Sequence, residues 1–362
     1  MRGHGGNIWR AGKMYGIEPE KILDFSASIN PLGPSPMAME ALEKALPLIR
    51  HYPEPQADSL RRELASCTGV PEEFLLLGNG AAELIYALGR VLQPTRVLLP
   101  VPTFHEYAGA FKDSPLVEVV LDEKDDFKIK LALLADRLRQ RDLVILCNPN
   151  NPTGQLLLLK DLREFLQRVR DAGASLLLDE AFMDFVVPQH SLLPEVGKSS
   201  GLMVLRSLTK FFALPGLRLG YLAAEPEIID RLAKQLPPWR VNYLAQVAAS
   251  ASLKDVSYME KTLQIIRCQR DFLIEGLQRI PGLRPLRSAA NFILVNCSAT
   301  GCRASDIQAF LGPRGILLRT CSNFQGLGNG YFRLAVRSGE ENRRLLTELA
   351  EFIKGTHRRT DP

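Results

Sequence analysis

Ser207-Leu208-Thr209-Lys210, running on into Phe211-Phe212-Ala213-Leu214-Pro215-Gly216-Leu217-Arg218-Leu219-Gly220-Tyr221, is the stretch on which the reading of this chain turns. A strand-like run over 203–205 delivers Arg206 and Ser207 into it. A single lysine is more often a solvated surface charge than a nucleophile. Lys210 is set apart by its neighbours, hydroxyl residues before it and an apolar run after it. An apolar setting lowers an ammonium pKa and leaves a neutral amine able to form an imine with an aldehyde. Ser207 and Thr209 bring hydroxyl donors, and Arg218 brings a guanidinium that forks onto two oxygens. Together they are a candidate phosphate cradle.

Four upstream features bear on that lysine. Asp179 ends the apolar run Leu176-Leu177-Leu178. A carboxylate there serves as a strand cap or as a charge partner, and the lysine downstream favours the second reading. Asn151-Pro152-Thr153-Gly154 is an ordinary turn by composition and, in this company, also a source of an amide donor. Gly78-Asn79-Gly80-Ala81-Ala82-Glu83 lies where a strand turns into a helix. Glycines admit an anion close to the backbone, and a helix start offers free N–H groups, so Gly80, Ala81 and Ala82 are candidate phosphate contacts. Phe104, within Pro102-Thr103-Phe104-His105, is either a core aromatic or a ring that stacks on a planar ligand.

The surrounding pattern is α/β. Strands are expected over 74–77, 96–99, 143–147, 175–178 and 203–205, with helices from about 81 and over 161–170. Apolar strands separated by helical segments argue for a mostly parallel sheet covered by helices on both faces. From about 242 the texture changes to a long helical stretch reaching about 279. Strands at 291–296, 316–319 and 331–336 follow, then an amphipathic closing helix over 340–353. A large domain is expected over 37–245, and a smaller α/β domain over 1–36 with 246–362.

Composition narrows the classes. The chain has 362 residues, 46% hydrophobic and 23% charged, with a formal charge of +5. No apolar run is long enough for a membrane span, and Met1-Arg2-Gly3-His4-Gly5-Gly6-Asn7 has no secretory apolar region. The six cysteines form no C-x-x-C pair, which suits reduced thiols in a cytoplasmic protein. The five histidines show no metal spacing, so no metal is expected. Basic residues are spread rather than clustered, so no nucleic-acid partner is expected. An anionic small molecule suits the mild positive balance.

Taken in order, Gly-Asn-Gly, Asn-Pro-Thr-Gly, Asp-Glu-Ala, Ser-Leu-Thr-Lys and Gly-Leu-Arg-Leu-Gly-Tyr resemble the fold type I pyridoxal-phosphate (PLP) aminotransferase superfamily, in its histidinol-phosphate aminotransferase branch. The resemblance covers nearly the whole chain. Within the branch the chain is most similar to the threonine-phosphate decarboxylases of cobalamin biosynthesis. His4-Gly5-Gly6-Asn7, Asp24-Phe25-Ser26-Ala27-Ser28-Ile29-Asn30-Pro31-Leu32-Gly33, Asp179-Glu180-Ala181-Phe182-Met183-Asp184-Phe185 and Tyr331-Phe332-Arg333-Leu334-Ala335-Val336-Arg337-Ser338 carry that similarity. The first is a signature of the decarboxylases. Phe182 stands where most aminotransferases of the branch carry a tyrosine, and the decarboxylases also have phenylalanine there. Ser28 stands where close relatives have asparagine, which shortens a side chain beside the substrate.

The resemblance implies a PLP cofactor on Lys210, with Asp179 at the ring nitrogen, Asn151 at the phenolic oxygen and Phe104 over the ring. The phosphate would be held by Ser207, Thr209, Arg218 and the Gly80-Ala81-Ala82 turn. His51-Tyr52-Pro53 resembles the segment whose tyrosine reaches the neighbouring subunit's cofactor, which implies a homodimer with Tyr52 shared. The substrate-facing residues would be His4, Gly5, Ser28, Asn151, Arg319 and Arg333. A phosphate and a carboxylate on one small molecule need two separated cationic anchors. Arg319 takes one, and either Arg333 or Arg337 takes the other; motif alignment favours Arg333, while strand alternation puts Arg337 on the same side.

The implied reaction is decarboxylation of L-threonine O-3-phosphate to (R)-1-amino-2-propanol O-2-phosphate. Decarboxylation of L-serine O-phosphate and a histidinol-phosphate-type transamination remain alternatives, because the same residues support either outcome. A PLP-binding regulator without turnover is a third. Such regulators carry a DNA-binding domain, and none is expected in a chain that starts at the His4 segment.

Overall fold

The computed structural model describes residues 5–360. Thirteen strands are assigned in that span: β1 (Leu23–Asp24), β2 (Leu75–Gly78), β3 (Arg96–Val101), β4 (Leu116–Val120), β5 (Asp142–Cys147), β6 (Ser175–Asp179), β7 (Leu202–Ser207), β8 (Gly220–Ala223), β9 (Arg284–Pro285), β10 (Phe292–Asn296), β11 (Ile316–Leu317), β12 (Arg319–Thr320) and β13 (Tyr331–Ala335). The large sheet runs β2-β8-β7-β6-β5-β3-β4. β4, β3, β5, β6 and β7 are mutually parallel, and only β8 runs against its neighbours. Every residue of β5 and β7 is buried, which is why they read as unbroken apolar runs rather than alternating ones. Helices Ala81–Val91 and Leu159–Asp171 pack their apolar stripes on it, as the 3.6-residue spacing of Leu162, Phe165, Leu166 and Val169 predicts.

A second, antiparallel sheet has the order β12-β13-β10-β9. The strand expected over 316–319 is two short ones. Ile316–Leu317 pairs in parallel with Leu23–Asp24, and Arg319–Thr320 then pairs antiparallel with β13. The switch occurs at Leu318, whose N–H leaves the ladder and donates to Gln308 Oε1 at 2.7 Å. The N-terminal segment is thus zipped to the C-terminal part of the chain, a contact extended by the Ala335 N–H to Phe25 carbonyl bond of 2.8 Å. The long helical stretch is also two elements, Tyr243–Lys254 and Val256–Gln278. Asp255 separates them by capping the second, accepting from the Tyr258 N–H at 3.0 Å. Among the described residues no helix is long and apolar enough to cross a membrane.

Asn30 ties these parts to the Lys210 segment. Its backbone N–H donates to the Lys210 carbonyl at 3.1 Å. Its buried side-chain amide lies 2.8 Å from each of the Phe211 carbonyl, the Tyr258 hydroxyl and Thr262 Oγ1. Asn30→Ala strands those buried groups. It is expected to cost about 1–3 kcal/mol, read as a lower denaturation midpoint of the apoprotein.

Candidate active site

The polar residues collect where the parallel strands end, which is where open α/β sheets place their ligand crevice. Asp179 ends β6, Ser207 ends β7, and the turns after β3 and β5 bring in Phe104 and Asn151. One cavity is lined by Ala81, Ala82, Phe104, Tyr107, Cys147, Asn151, Asp179, Phe182, Ser207, Thr209, Lys210 and Arg218. Residues read from five separated stretches of sequence therefore share one wall.

Lys210 sits in the one-turn helix Leu208–Phe211 directly after β7. Its Nζ donates to Ser207 Oγ at 3.1 Å and lies 5.1 Å from the centre of the Phe182 ring. Burial pushes its pKa below that of a solvent lysine; the carboxylate of Asp179 opposes the shift, and the guanidinium charges of Arg218 and Arg333 reinforce it. Asp179 is buried in the lining of the same cavity. Burial raises its pKa, and hydrogen bonds from Tyr107 and the Ala181 N–H counter the rise. An amine whose pKa is lowered by burial and a carboxylate held by donors therefore face one ligand space.

Ser207 Oγ and Thr209 Oγ1 are 2.9 Å apart in the lining of the cavity. Arg218 lines the same cavity, and among the described residues its guanidinium makes a long 3.4 Å contact to the Pro215 carbonyl and no ion pair to a carboxylate. Gly80 opens the helix Ala81–Val91 at φ 85°, and a Cβ there would lie 2.7 Å from the Arg218 guanidinium. The positive φ favours glycine at that position, and its bare Cα lets the Arg218 guanidinium lie against it. Hydroxyls, a guanidinium and a helix start are the kinds of group that can hold a phosphate.

The Asn-Pro-Thr-Gly turn is held by its neighbour. Asn150 Nδ2 donates to the Pro102 carbonyl at 3.0 Å and to Thr153 Oγ1 at 2.9 Å, while its Oδ1 accepts from Thr103 Oγ1 at 2.9 Å. That network fixes Asn151 and Phe104 relative to each other. Asn151 Oδ1 accepts from Arg333, which leaves its NH2 to donate elsewhere.

Arg319 and Arg333 are direct cross-strand partners in the β12–β13 ladder, and both are buried. Arg319 donates to the Thr320 carbonyl at 2.7 Å and to Asn323 Oδ1 at 2.8 Å. Arg333 donates to Asn151 and, at 3.1 Å, to the Ser26 carbonyl. Burial, with Arg319 adding to the effect, pushes the Arg333 guanidinium down to about 10. Like charges opposed in a ladder are unfavourable, and an anion between the two guanidinium groups would offset that repulsion. Gly5 touches the same place: a Cβ on it would fall 2.1 Å from the Ser26 carbonyl oxygen, and the Gly6 N–H donates to Ser26 Oγ at 2.8 Å. His4 lies outside the described residues. Ser28 is buried between Ser26 and Asn30, and its Oγ has no hydrogen-bond partner among the described residues.

One expected position, Arg337, falls elsewhere, while Tyr52 is expected at the neighbouring subunit's site rather than its own. Arg337 does not share a strand face with Arg333, because β13 stops at Ala335. Its guanidinium is committed to Glu341 at 2.9 and 2.6 Å, so the period-two argument fails at the strand end. Tyr52 is 82% exposed, with its ring 5.0 Å from that of Trp239, and lies outside the cavity of its own chain.

Sequence reasoning missed the buried ion cluster behind the site. Arg206 lies 2.9 Å from Glu180 and 2.7 Å from Asp184, locking the end of β7 to the turn after β6. The spacing of Glu180 and Asp184 within the Asp-Glu-Ala-Phe-Met-Asp stretch was the available signal. Tyr107, which bonds Asp179, was also missed; an aromatic three residues after Phe104 was its only sequence trace.

The residues fit pyridoxal phosphate. Hydroxyl and guanidinium donors, a buried amine, an amide donor, an aromatic face and a buried carboxylate occur in one cavity, each of a kind that group needs. A model of the family described as aminotransferase class I and II matches residues 20–349. The chain is 36% identical over 355 residues to threonine-phosphate decarboxylase of Salmonella typhimurium, covering 97% of both chains. It is 34% identical over 357 residues to histidinol-phosphate aminotransferase of Methanothermobacter thermautotrophicus, covering 97% of this chain and 94% of that one. The crystal structure of L-threonine-O-3-phosphate decarboxylase from Porphyromonas gingivalis superimposes with a TM-score of 0.81 at 26% identity, over 91% of this chain and 99% of that one.

Proposed function

The chain belongs to the class I and II aminotransferase family and is a PLP-dependent enzyme, and from that premise we propose that it decarboxylates L-threonine O-3-phosphate to (R)-1-amino-2-propanol O-2-phosphate and CO2 for the cobalamin nucleotide loop. The observation that carries this reading is the buried Arg319–Arg333 pair, with the Gly5–Gly6 segment folded onto Ser26 beside it. Two guanidinium groups call for two anionic groups, and threonine phosphate carries a phosphate and a carboxylate. Ser28, whose buried hydroxyl has no partner among the described residues, adds a polar contact.

PLP, when bound, supplies an aldehyde that bonds the substrate amine and a ring that takes up the electron pair of the broken Cα bond. This chain's residues do the rest. Ser207, Thr209, Arg218 and the N–H groups of Ala81 and Ala82 hold the cofactor phosphate. Asp179 holds a proton at the ring nitrogen, Asn151 donates to the phenolic oxygen, and Phe104 covers the ring. Phe182 has no hydroxyl to give that oxygen and presents its face toward Lys210 instead. Arg319, with the His4 segment, grips the substrate phosphate, and Arg333 orients the carboxylate. Lys210, having taken up a proton from the substrate ammonium as its own amine is released, would return that proton to Cα.

The enzyme works as a homodimer in this reading. Met37, Met39, Leu46, Leu48, Ile49 and Tyr52, close together in the sequence, are each exposed apolar side chains, which suits a face covered by a second copy. Tyr52, outside its own cavity, is then available to the cofactor phosphate of the partner.

Transamination of the histidinol-phosphate type is the second reading, supported by the 34% identity to that enzyme. One assay separates them. Purified enzyme given threonine phosphate and no keto acid is expected to release CO2 stoichiometrically. Strict dependence on 2-oxoglutarate would establish the transaminase instead. Running serine phosphate alongside tests the side-chain preference, where one methyl is worth about 1–3 kcal/mol in a pocket.

A further inference from the structure

We propose that Tyr107 is a positioning residue for Asp179: its hydroxyl keeps that carboxylate ionised and aimed at the cofactor ring nitrogen. Tyr107 lies in the short helix Glu106–Ala110, fully buried. Its O–H donates to Asp179 Oδ2 at 2.6 Å, while the Ala181 N–H donates to Oδ1 at 2.9 Å. Each carboxylate oxygen therefore has one protein donor, and each keeps lone-pair capacity for a third partner from the cavity. Two donors on different oxygens also fix the plane of the group, which a single one would leave free to turn.

The neighbours show why the hydroxyl is needed. Cys147 stands beside Asp179 in register on the adjacent strand, but its thiol donates to the Pro149 carbonyl at 3.3 Å and gives the carboxylate nothing. The remaining opposing charge is that of Lys210, the amine that the proposed chemistry engages. A buried carboxylate without donors takes up a proton rather than stay charged. Burial, with the Asp179 charge adding to it, drives the pKa of Tyr107 itself well up, so the phenol stays a donor throughout. The Tyr107 ring also packs edge-on against Phe104 at 5.6 Å, so one side chain supports both the carboxylate and the stacking ring.

The inference rests on the assignment of Asp179 to the ring nitrogen and is independent of which Cα bond breaks. Tyr107→Phe removes one oxygen and keeps the ring packing. In the apoprotein, infrared difference spectra should show Asp179 taking its proton at a higher pH than in the wild type. Titration of the apoprotein with PLP should show binding weakened roughly 10- to 100-fold, with the pH dependence of the cofactor absorbance displaced. In an Asp179→Asn background the same substitution should have a several-fold smaller effect, because the charge it serves is gone. Wild-type binding and titration by Tyr107→Phe, or an undiminished effect in the Asn background, overturns the proposal and leaves Tyr107 a packing residue. If Asp179→Asn itself binds and titrates like wild type, the ring-nitrogen assignment fails, and this inference falls with it.

Discussion

Lys210→Ala is expected to lower kcat by at least about 10²–10⁴-fold through the lost proton transfer alone, and to abolish covalent attachment of the cofactor. Borohydride reduction followed by peptide mass analysis measures the second effect: wild type carries the cofactor mass on the Lys210 peptide, and the variant carries none. The fold should survive, because the contact Lys210 makes with Asn30 uses its backbone carbonyl, at 3.1 Å, and not its amine. The amine is useful because burial lowers its pKa. The neutral form that bonds the cofactor aldehyde persists to lower pH than in a solvent lysine, and attachment of the cofactor to the apoprotein slows as pH drops through that lowered value. Stability runs in the same direction. The unfolded chain binds this proton more tightly, so the cost of the site is full below the folded pKa and fades as pH rises toward the ordinary lysine value. Full turnover by Lys210→Ala would remove this residue from the mechanism.

Much of this was legible in the chain, for a physical reason. Strands buried on both faces are apolar throughout, so 143–147 and 175–178 announce themselves. The polar residue that ends each one, such as Asp179, is conspicuous against them. β4 was not read as a strand, although Leu116-Val117-Glu118-Val119-Val120 is rich in β-branched residues. Its half-buried edge position leaves a mixed pattern that resembles a loop. β8 went unread because Gly220 and Tyr221 belong to a motif read for Arg218, and its reversed direction depends on pairing with Leu75–Gly78 far upstream. Register was equally hidden. The facing of Arg319 and Arg333 depends on the ladder break at Leu318, which is set by a glutamine ten residues earlier. The bond from Tyr107 to Asp179 spans 72 residues, and no local pattern encodes it. Residue types with chemistry were visible one at a time, while the partners that tune them come only with the fold.

Arg333→Met is the sharper test of how the substrate is held. Removing one partner of a buried, hydrogen-bonded charge pair costs about 2–5 kcal/mol, a fall of roughly 30- to several-thousand-fold in kcat/KM for threonine phosphate. A general unfolding defect would produce the same fall, so the apoprotein must be measured too. Holding the Arg333 charge in its buried setting, with the guanidinium pushed down to about 10, costs about 3 kcal/mol relative to an ordinary arginine. Methionine relieves that cost but leaves the Asn151 Oδ1 and the Ser26 carbonyl without their Arg333 donor, at about 1–3 kcal/mol in each case. The two changes oppose each other, so the apoprotein denaturation midpoint should stay close to wild type while kcat/KM collapses. The pH dependence has a fixed sign: the guanidinium pKa is depressed, so the cost is constant at neutral pH and is relieved only above about pH 10. Arg337→Met is the control that decides between the two arginines. Arg337 is held by Glu341, so its loss should reach stability and leave KM for threonine phosphate nearly unchanged. A larger KM effect at Arg337 than at Arg333 would reverse the assignment. A loss of stability at Arg333 matching its loss of activity would mean that the facing arginines hold the fold together rather than the substrate.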